Sequence, residues 1–258
     1  MSSTTQPFTG RFAGRSVLVS GAGGGIGRAT AHAFAAEGAD VTCADVDAAA
    51  ATATADLIRA DGAAARALGC DVTVVDDVAQ AVAVALDATG RLDVLANVAG
   101  IGAFAPTGEV TLEQWNRTLA VNLTGTFLMC QQALPALVAS RGNIVNVASV
   151  AGVRAVPYNA AYCASKGGVV MLTKSLAVEF GGEGVRVNCV CPSSVATAFL
   201  DNFEFTDAID RSLFDRGRSV LSGLMDAGTV ATAITYLASD DAHMITGSAL
   251  MMDGGATA

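Results

Sequence analysis

The stretch SGAGGGIG, Ser20 to Gly27, comes directly after the apolar run SVLVS at 16–20 and opens into RATAHAFAAEG. A short β-branched run, a glycine cluster and then a helix-favouring segment read as strand, tight turn and helix. Glycines let the backbone take positive φ and come close to a ligand, while the N–H groups and dipole of a helix N-terminus favour negative charge. A glycine cluster by itself marks only a turn. Between a strand and a helix, Gly21, Gly24, Gly25, Ile26 and Gly27 are the expected cradle of a dinucleotide pyrophosphate.

The next strand-like run, DVTCAD at 40–45, ends in an acid, Asp45, 18 residues beyond Gly27. A carboxylate there accepts hydrogen bonds from both ribose hydroxyls and repels a 2′-phosphate. No basic residue follows Asp45 or sits inside the glycine loop, so NAD is expected rather than NADP. A competing explanation makes Asp45 the cap of the following helix, but Asp47 fits that position at least as well.

Further apolar runs follow, VLANVAG at 94–100, NIVNVAS at 143–149 and VRVNCVC at 185–191, with alanine-rich helix formers such as DAAAATATADLIRA and DDVAQAVAVALDA between strands. Nearly continuous apolar strands separated by helices indicate a parallel sheet covered on both faces. Neither a Pro/Ser-rich linker nor an internal repeat divides the 258 residues, so one α/β domain over 1–258 is expected. Residues 198–224 break the pattern, mixing charges with bulky apolar side chains, and read as a helical segment covering a site.

Composition removes other classes. With 52% apolar and 15% charged residues the chain is globular, and a net charge of −9 with pI near 4.5 argues against nucleic acid as a partner. No stretch approaches the ~18 apolar residues of a bilayer span, and the first residues lack a basic start and apolar run, so a cytoplasmic protein without a membrane partner is expected. The six cysteines read as reduced core thiols; Cys189 and Cys191 form a CxC in a strand-like run without a nearby His pair, so no metal is expected. His32 and His243 read as surface residues, Trp115 as helix packing, and Met251 and Met252 as core or subunit interface.

In the second half, Ser149 ends a strand-like run, Tyr162 follows 13 residues later in YCASK, and Lys166 lies one helical turn beyond Tyr162. Tyr162 and Lys166 therefore share a helix face, on a helix expected to start at Pro157 and run to Phe180. A free tyrosine has a pKa of about 10 and is a poor base near neutrality unless a positive charge stabilises its phenolate. Lys166 is placed to supply that charge.

Taken in order, GAGGGIG at 21–27, DV at 71–72, NVAG at 97–100, Asn122 in VNLTGTF, Ser149 in NVASVAG, YCASK at 162–166, VRVNCVCPSSVAT at 185–197 and ITGSALMMDGG at 245–255 resemble the short-chain dehydrogenase/reductase family over nearly the whole chain. The resemblance implies a single Rossmann-type doubly wound α/β domain of about seven parallel strands with helices on both faces. It implies a catalytic set of Asn122, Ser149, Tyr162 and Lys166. In that mechanism Tyr162 exchanges a proton with the substrate oxygen, Ser149 hydrogen-bonds that oxygen, and hydride moves between the substrate carbon and the nicotinamide ring. Lys166 would hold the nicotinamide ribose and lower the tyrosine pKa, and Asn122 would anchor a relay water. Further contacts to NAD fall on Asp71, Val72, Asn97, Ala99, Gly100, Pro192, Val195 and Thr197, with Asn97 also bracing the sheet.

Two positions depart from the family: Val98 stands where a second Asn is frequent, and Ser193 where a Gly usually follows the proline. Ser193 adds a side chain beside the expected substrate, and Val150, Ala151, Asn159, Ser194 and Phe199 complete the candidate pocket. The pocket has no basic cluster, although Arg154, Arg211, Arg216 and Arg218 could reach in. The expected substrate is a neutral secondary alcohol and its ketone, with a 3-oxoacyl thioester second and a catalytically silent NAD-binding sensor or scaffold as the reading from another class. GSALMMDGG resembles the segment through which family members form tetramers, so a homotetramer is expected, with a dimer next.

Overall fold

The computed structural model describes residues 10–198, 209–217, 219–221 and 223–258. Its strands are β1 (Ser16–Ser20), β2 (Asp40–Asp45), β3 (Ala65–Gly69), β4 (Val94–Asn97), β5 (Asn143–Val147), β6 (Arg186–Pro192) and β7 (Ala249–Met252). The α-helices are α1 (Gly25–Ala36), α2 (Ala48–Ala60), α3 (Val75–Thr89), α4 (Leu112–Leu119), α5 (Thr126–Ser140), α6 (Ala160–Phe180) and α7 (Ala227–Ala238). The strands form one parallel sheet in the order β3-β2-β1-β4-β5-β6-β7. The chain walks outward from β1 to β3, then returns to place β4 on the other side of β1. That reversal is the switch point at which open α/β sheets bind ligands.

Alternation along β1 decides which helices cover which face. Val17 and Val19 pack with Phe34 of α1, Ile58 of α2 and Ile234 of α7, whereas Leu18 packs with Val78 of α3, Met129 and Leu137 of α5, and Leu176 of α6. Burying each such side chain contributes roughly 1.5–3 kcal/mol, so both faces are needed to hold a sheet this wide. Phe12 and Phe34 meet edge to face at 4.8 Å on the first of these faces.

Several boundaries differ from the sequence expectation for local reasons. β4 stops at Asn97 instead of running to Gly100, because the Val98 and Ala99 N–H groups donate to the Ser20 hydroxyl at 3.1 and 3.3 Å. α6 begins at Ala160, not Pro157, because Tyr158 takes φ 59, outside helical geometry. β3, ARALG, was not among the expected apolar runs; it is an edge strand whose Arg66 pairs with Asp40 at 2.7 Å. Within 198–224 a 3₁₀ helix spans Arg211–Gly217, while Phe199 and Arg218 lie outside the described residues.

Candidate active site

The carboxyl ends of the strands open into a cleft of about 1630 Å³, lined at one end by the glycine turn and Asp45 and at the other by Ser149, Tyr162 and the 3₁₀ segment. Gly21 and Gly25, at φ 69 and 48, hold backbone that side-chain-bearing residues rarely adopt. A Cβ on Gly21 would fall 2.7 Å from the Ala99 nitrogen, and one on Gly27 would fall 1.9 Å from the Gly21 oxygen. Gly24, the N-cap of α1, has no side chain to cap the first N–H groups, and Gly24, Gly25, Ile26 and Gly27 all face the cleft. Open helix N–H groups beside a close-packed glycine turn fit a pyrophosphate.

Asp47, not Asp45, caps α2, accepting from the Ala49 and Ala50 N–H groups. Asp45 instead faces the cleft and accepts from the Gly23 N–H at 2.8 Å and the Asp47 N–H at 3.0 Å. The neighbouring cation, Arg28, is held by the Gly23 carbonyl and the Thr54 hydroxyl. Its guanidinium is therefore tied to the turn and to α2. Asp71 and Val72 lie on the cleft wall, with the Asp71 carboxylate accepting from the Thr73 N–H and hydroxyl. Ala99, Gly100, Pro192, Val195 and Thr197 also line the cleft. Asn97 does not: it is buried in the sheet, where its amide donates to Asn146 at 2.9 Å.

The short β5 leaves Ser149 at the mouth of the cleft, and its hydroxyl accepts from the Ala151 N–H at 3.1 Å. Tyr162 faces it from the first turn of α6. Burial pushes the phenol up to about 12, with the hydrogen bond to the Ser149 side chain pulling the other way. Lys166, almost wholly buried, donates to the Val147 carbonyl at 2.7 Å, and its ammonium lies 5.7 Å from the centre of the Tyr162 ring. Burial brings Lys166 down to about 8. In the protein alone desolvation is the largest influence on the Tyr162 phenol, while the Lys166 ammonium is turned toward the Val147 carbonyl.

Asn122 sits in a π-helical turn, Ala120–Gly125, between α4 and α5. Its side chain accepts from the Ile101 N–H at 2.8 Å and donates to the Ile101 carbonyl at 2.9 Å and to the Ser165 hydroxyl at 3.0 Å. Asn122 therefore clamps the loop after β4 to the residue preceding Lys166. A Cβ on Gly100 would sit 3.3 Å from Asn122 Oδ1 and 3.4 Å from Lys166 Nζ, so the glycine leaves room for both.

Val150, Ala151, Asn159, Ser193 and Ser194 line the substrate end. Arg154 also lines it, donating to the carbonyls of Gly217 and Ala256, while Arg211 is exposed and absent from the cleft wall. Sequence reasoning missed Phe104, Arg117, Phe214 and the Asp253–Gly254 tail, all of which reach the wall. Phe104 meets Phe214 edge to face at 5.2 Å, a contact between segments 110 residues apart with no periodic signal in either.

A family model described as enoyl-(acyl carrier protein) reductase matches residues 21–257. D-threitol dehydrogenase of Mycolicibacterium smegmatis is 41% identical, covering 97% of this chain and 95% of the relative. Meso-2,3-butanediol dehydrogenase of Serratia marcescens is 38% identical, covering 96% of each chain. The structure of 3-ketoacyl-(acyl-carrier-protein) reductase from Brucella melitensis complexed with NADH superposes with a TM-score of 0.87 at 35% identity, covering 95% of this chain and 99% of that one.

Proposed function

The chain belongs to the short-chain dehydrogenase/reductase family, and from that premise we propose that it is an NAD(H)-dependent oxidoreductase interconverting a secondary alcohol and its ketone. The observation that carries this reading is the juxtaposition of Ser149, Tyr162 and Lys166 at one end of a cleft whose other end is a glycine cradle closed by Asp45. Relatives named for threitol and butanediol support an alcohol substrate.

Gly21, Gly24, Gly25, Ile26 and Gly27 would hold the pyrophosphate, Asp45 the adenosine ribose, and Asp71 and Val72 the adenine edge, with Lys166 at the nicotinamide ribose. When bound, NAD(H) accepts or supplies the hydride. The protein's own residues manage the proton. In ketone reduction Tyr162 gives its phenolic proton to the substrate oxygen while the Ser149 hydroxyl orients that oxygen. In alcohol oxidation the phenolate takes the proton back. Asn122 keeps Ile101 and Ser165 in register beside Lys166, and a water anchored at this clamp relays protons to solvent. Among the described residues no helix is long and apolar enough to cross a membrane. A cytoplasmic homotetramer completes the proposal, its assembly supported by the partly buried edge strand β7.

The test is the absorbance of NADH across a panel of secondary alcohols with NAD and ketones with NADH. Turnover on the panel is expected. Tight NADH binding without turnover of any member would leave the silent sensor as the better account. The likeness to a 3-ketoacyl reductase favours an acetoacetyl thioester as one member of the ketone set.

A further inference from the structure

Asn159 is the N-cap residue of α6, one turn before Tyr162, yet its side chain makes no capping hydrogen bond. It is 6% exposed and lines the cleft, and its Oδ1 has no hydrogen-bond partner among the described residues. Buried polar groups are almost always paired, so an orphan calls for a physical cause. Two other buried amide oxygens lack partners, those of Asn97 and Asn143, but both belong to strands and neither residue lines the cleft. Of these three asparagines, Asn159 is the one that lines the cleft.

We infer that Asn159 receives a second hydroxyl of the substrate, on the carbon beside the one that reacts, so that the enzyme takes vicinal diols and the matching α-hydroxyketones. This rests on the oxidoreductase reading above and narrows it. Residues three apart on a helix are neighbours, with Cβ atoms about 5–6 Å apart. The group met by Asn159 and the oxygen met by Tyr162 therefore lie close together, as the adjacent oxygens of a diol do. A hydroxyl both donates and accepts, so it satisfies the carboxamide whichever way its oxygen and nitrogen are assigned. A ketone or thioester oxygen only accepts, and an alkyl group leaves the amide unpaired. The cleft wall also carries the apolar side chains of Val150, Ala151 and Phe214, against which a hydroxyl that missed Asn159 would find no partner.

The experiment compares kcat/KM with NAD on matched pairs, butane-2,3-diol against butan-2-ol and cyclohexane-1,2-diol against cyclohexanol, with all diol stereoisomers included. The diol is expected to lead its partner by about tenfold to a hundredfold, the rate equivalent of a buried polar group left unpaired. Asn159→Leu should bring that ratio close to one, and Asn159→Ser should keep part of it. A merely structural Asn159 would lower both members of a pair alike and leave the ratio standing, which overturns the inference; so does wild-type turnover without a diol preference. Absence of turnover on every member overturns the oxidoreductase reading and this inference with it, and is thereby distinguished from failure of the inference alone.

Discussion

Burial drives the proton affinities of Tyr162 and Lys166 apart, the phenol up to about 12 and the ammonium down to about 8. The sign of the pH dependence follows. At neutral pH Tyr162 is fully protonated, which is the form that donates to a ketone oxygen and is lost only as pH rises through its pKa. Alcohol oxidation needs the phenolate, whose population grows tenfold for each pH unit below that pKa. The kcat/KM for oxidation is therefore expected to climb between about pH 6 and 10 while that for reduction stays level. The positive charge of an oxidised nicotinamide stabilises the phenolate, so the break falls below 12. Tyr162→Phe should cost on the order of 100 to 10,000-fold in turnover, with NADH binding, read by nucleotide fluorescence, retained. At Asp45, a carboxylate facing the cleft with Arg28 bonded to the Gly23 carbonyl and the Thr54 hydroxyl predicts higher kcat/KM with NAD than with NADP, and Asp45→Ser should narrow that difference.

At the scale of elements, the turn between β1 and α1 is held by contacts that admit no side chain. Gly27→Ala would put a methyl group 1.9 Å from the Gly21 oxygen, so it must displace the turn. A loss of about 1–3 kcal/mol or more is expected, visible as a lowered Tm together with weakened NADH binding. This turn was legible in the sequence because glycine is both its conformational requirement and its signature. β1 and β2 were legible to the residue for a similar reason, their apolar runs ending at Ser20 and Asp45, where the cleft begins. β3 was not, since Ala65–Gly69 is an edge strand with a charged residue, Arg66, and no β-branched side chain. The π-helical turn at Asn122 was also invisible: the partners that hold Asn122 there, Ile101 and Ser165, are distant in sequence. The YCASK pair was readable as one helix face, whereas the desolvation that sets both pKa values depends on walls supplied by other strands.

For the whole molecule, the described residues leave one covering layer unfinished. α4 buries no residue, Leu112 at its start is 73% exposed, and Phe127, Met171 and Val178 on α5 and α6 are 41%, 61% and 86% exposed. Met171 and Val178 lie seven residues apart, two turns along the same face of α6. At another edge of the sheet, β7 pairs with β6 alone among the described residues, and each of its four residues is partly buried. An apolar helical face and an unpaired edge strand are two distinct surfaces, and two independent two-fold contacts generate a tetramer where one would give a dimer. Exposed apolar patches of this kind on a chain with 52% apolar residues favour association over solvation. Light scattering is expected to return four times the 25.8 kDa chain mass. The double substitution Met171→Glu, Val178→Glu places like charges against each other across the helical contact and should halve that mass, leaving the pairing through β7. A mass unchanged by the substitution would remove α6 from the interface, and a monomeric wild-type chain would remove the assembly.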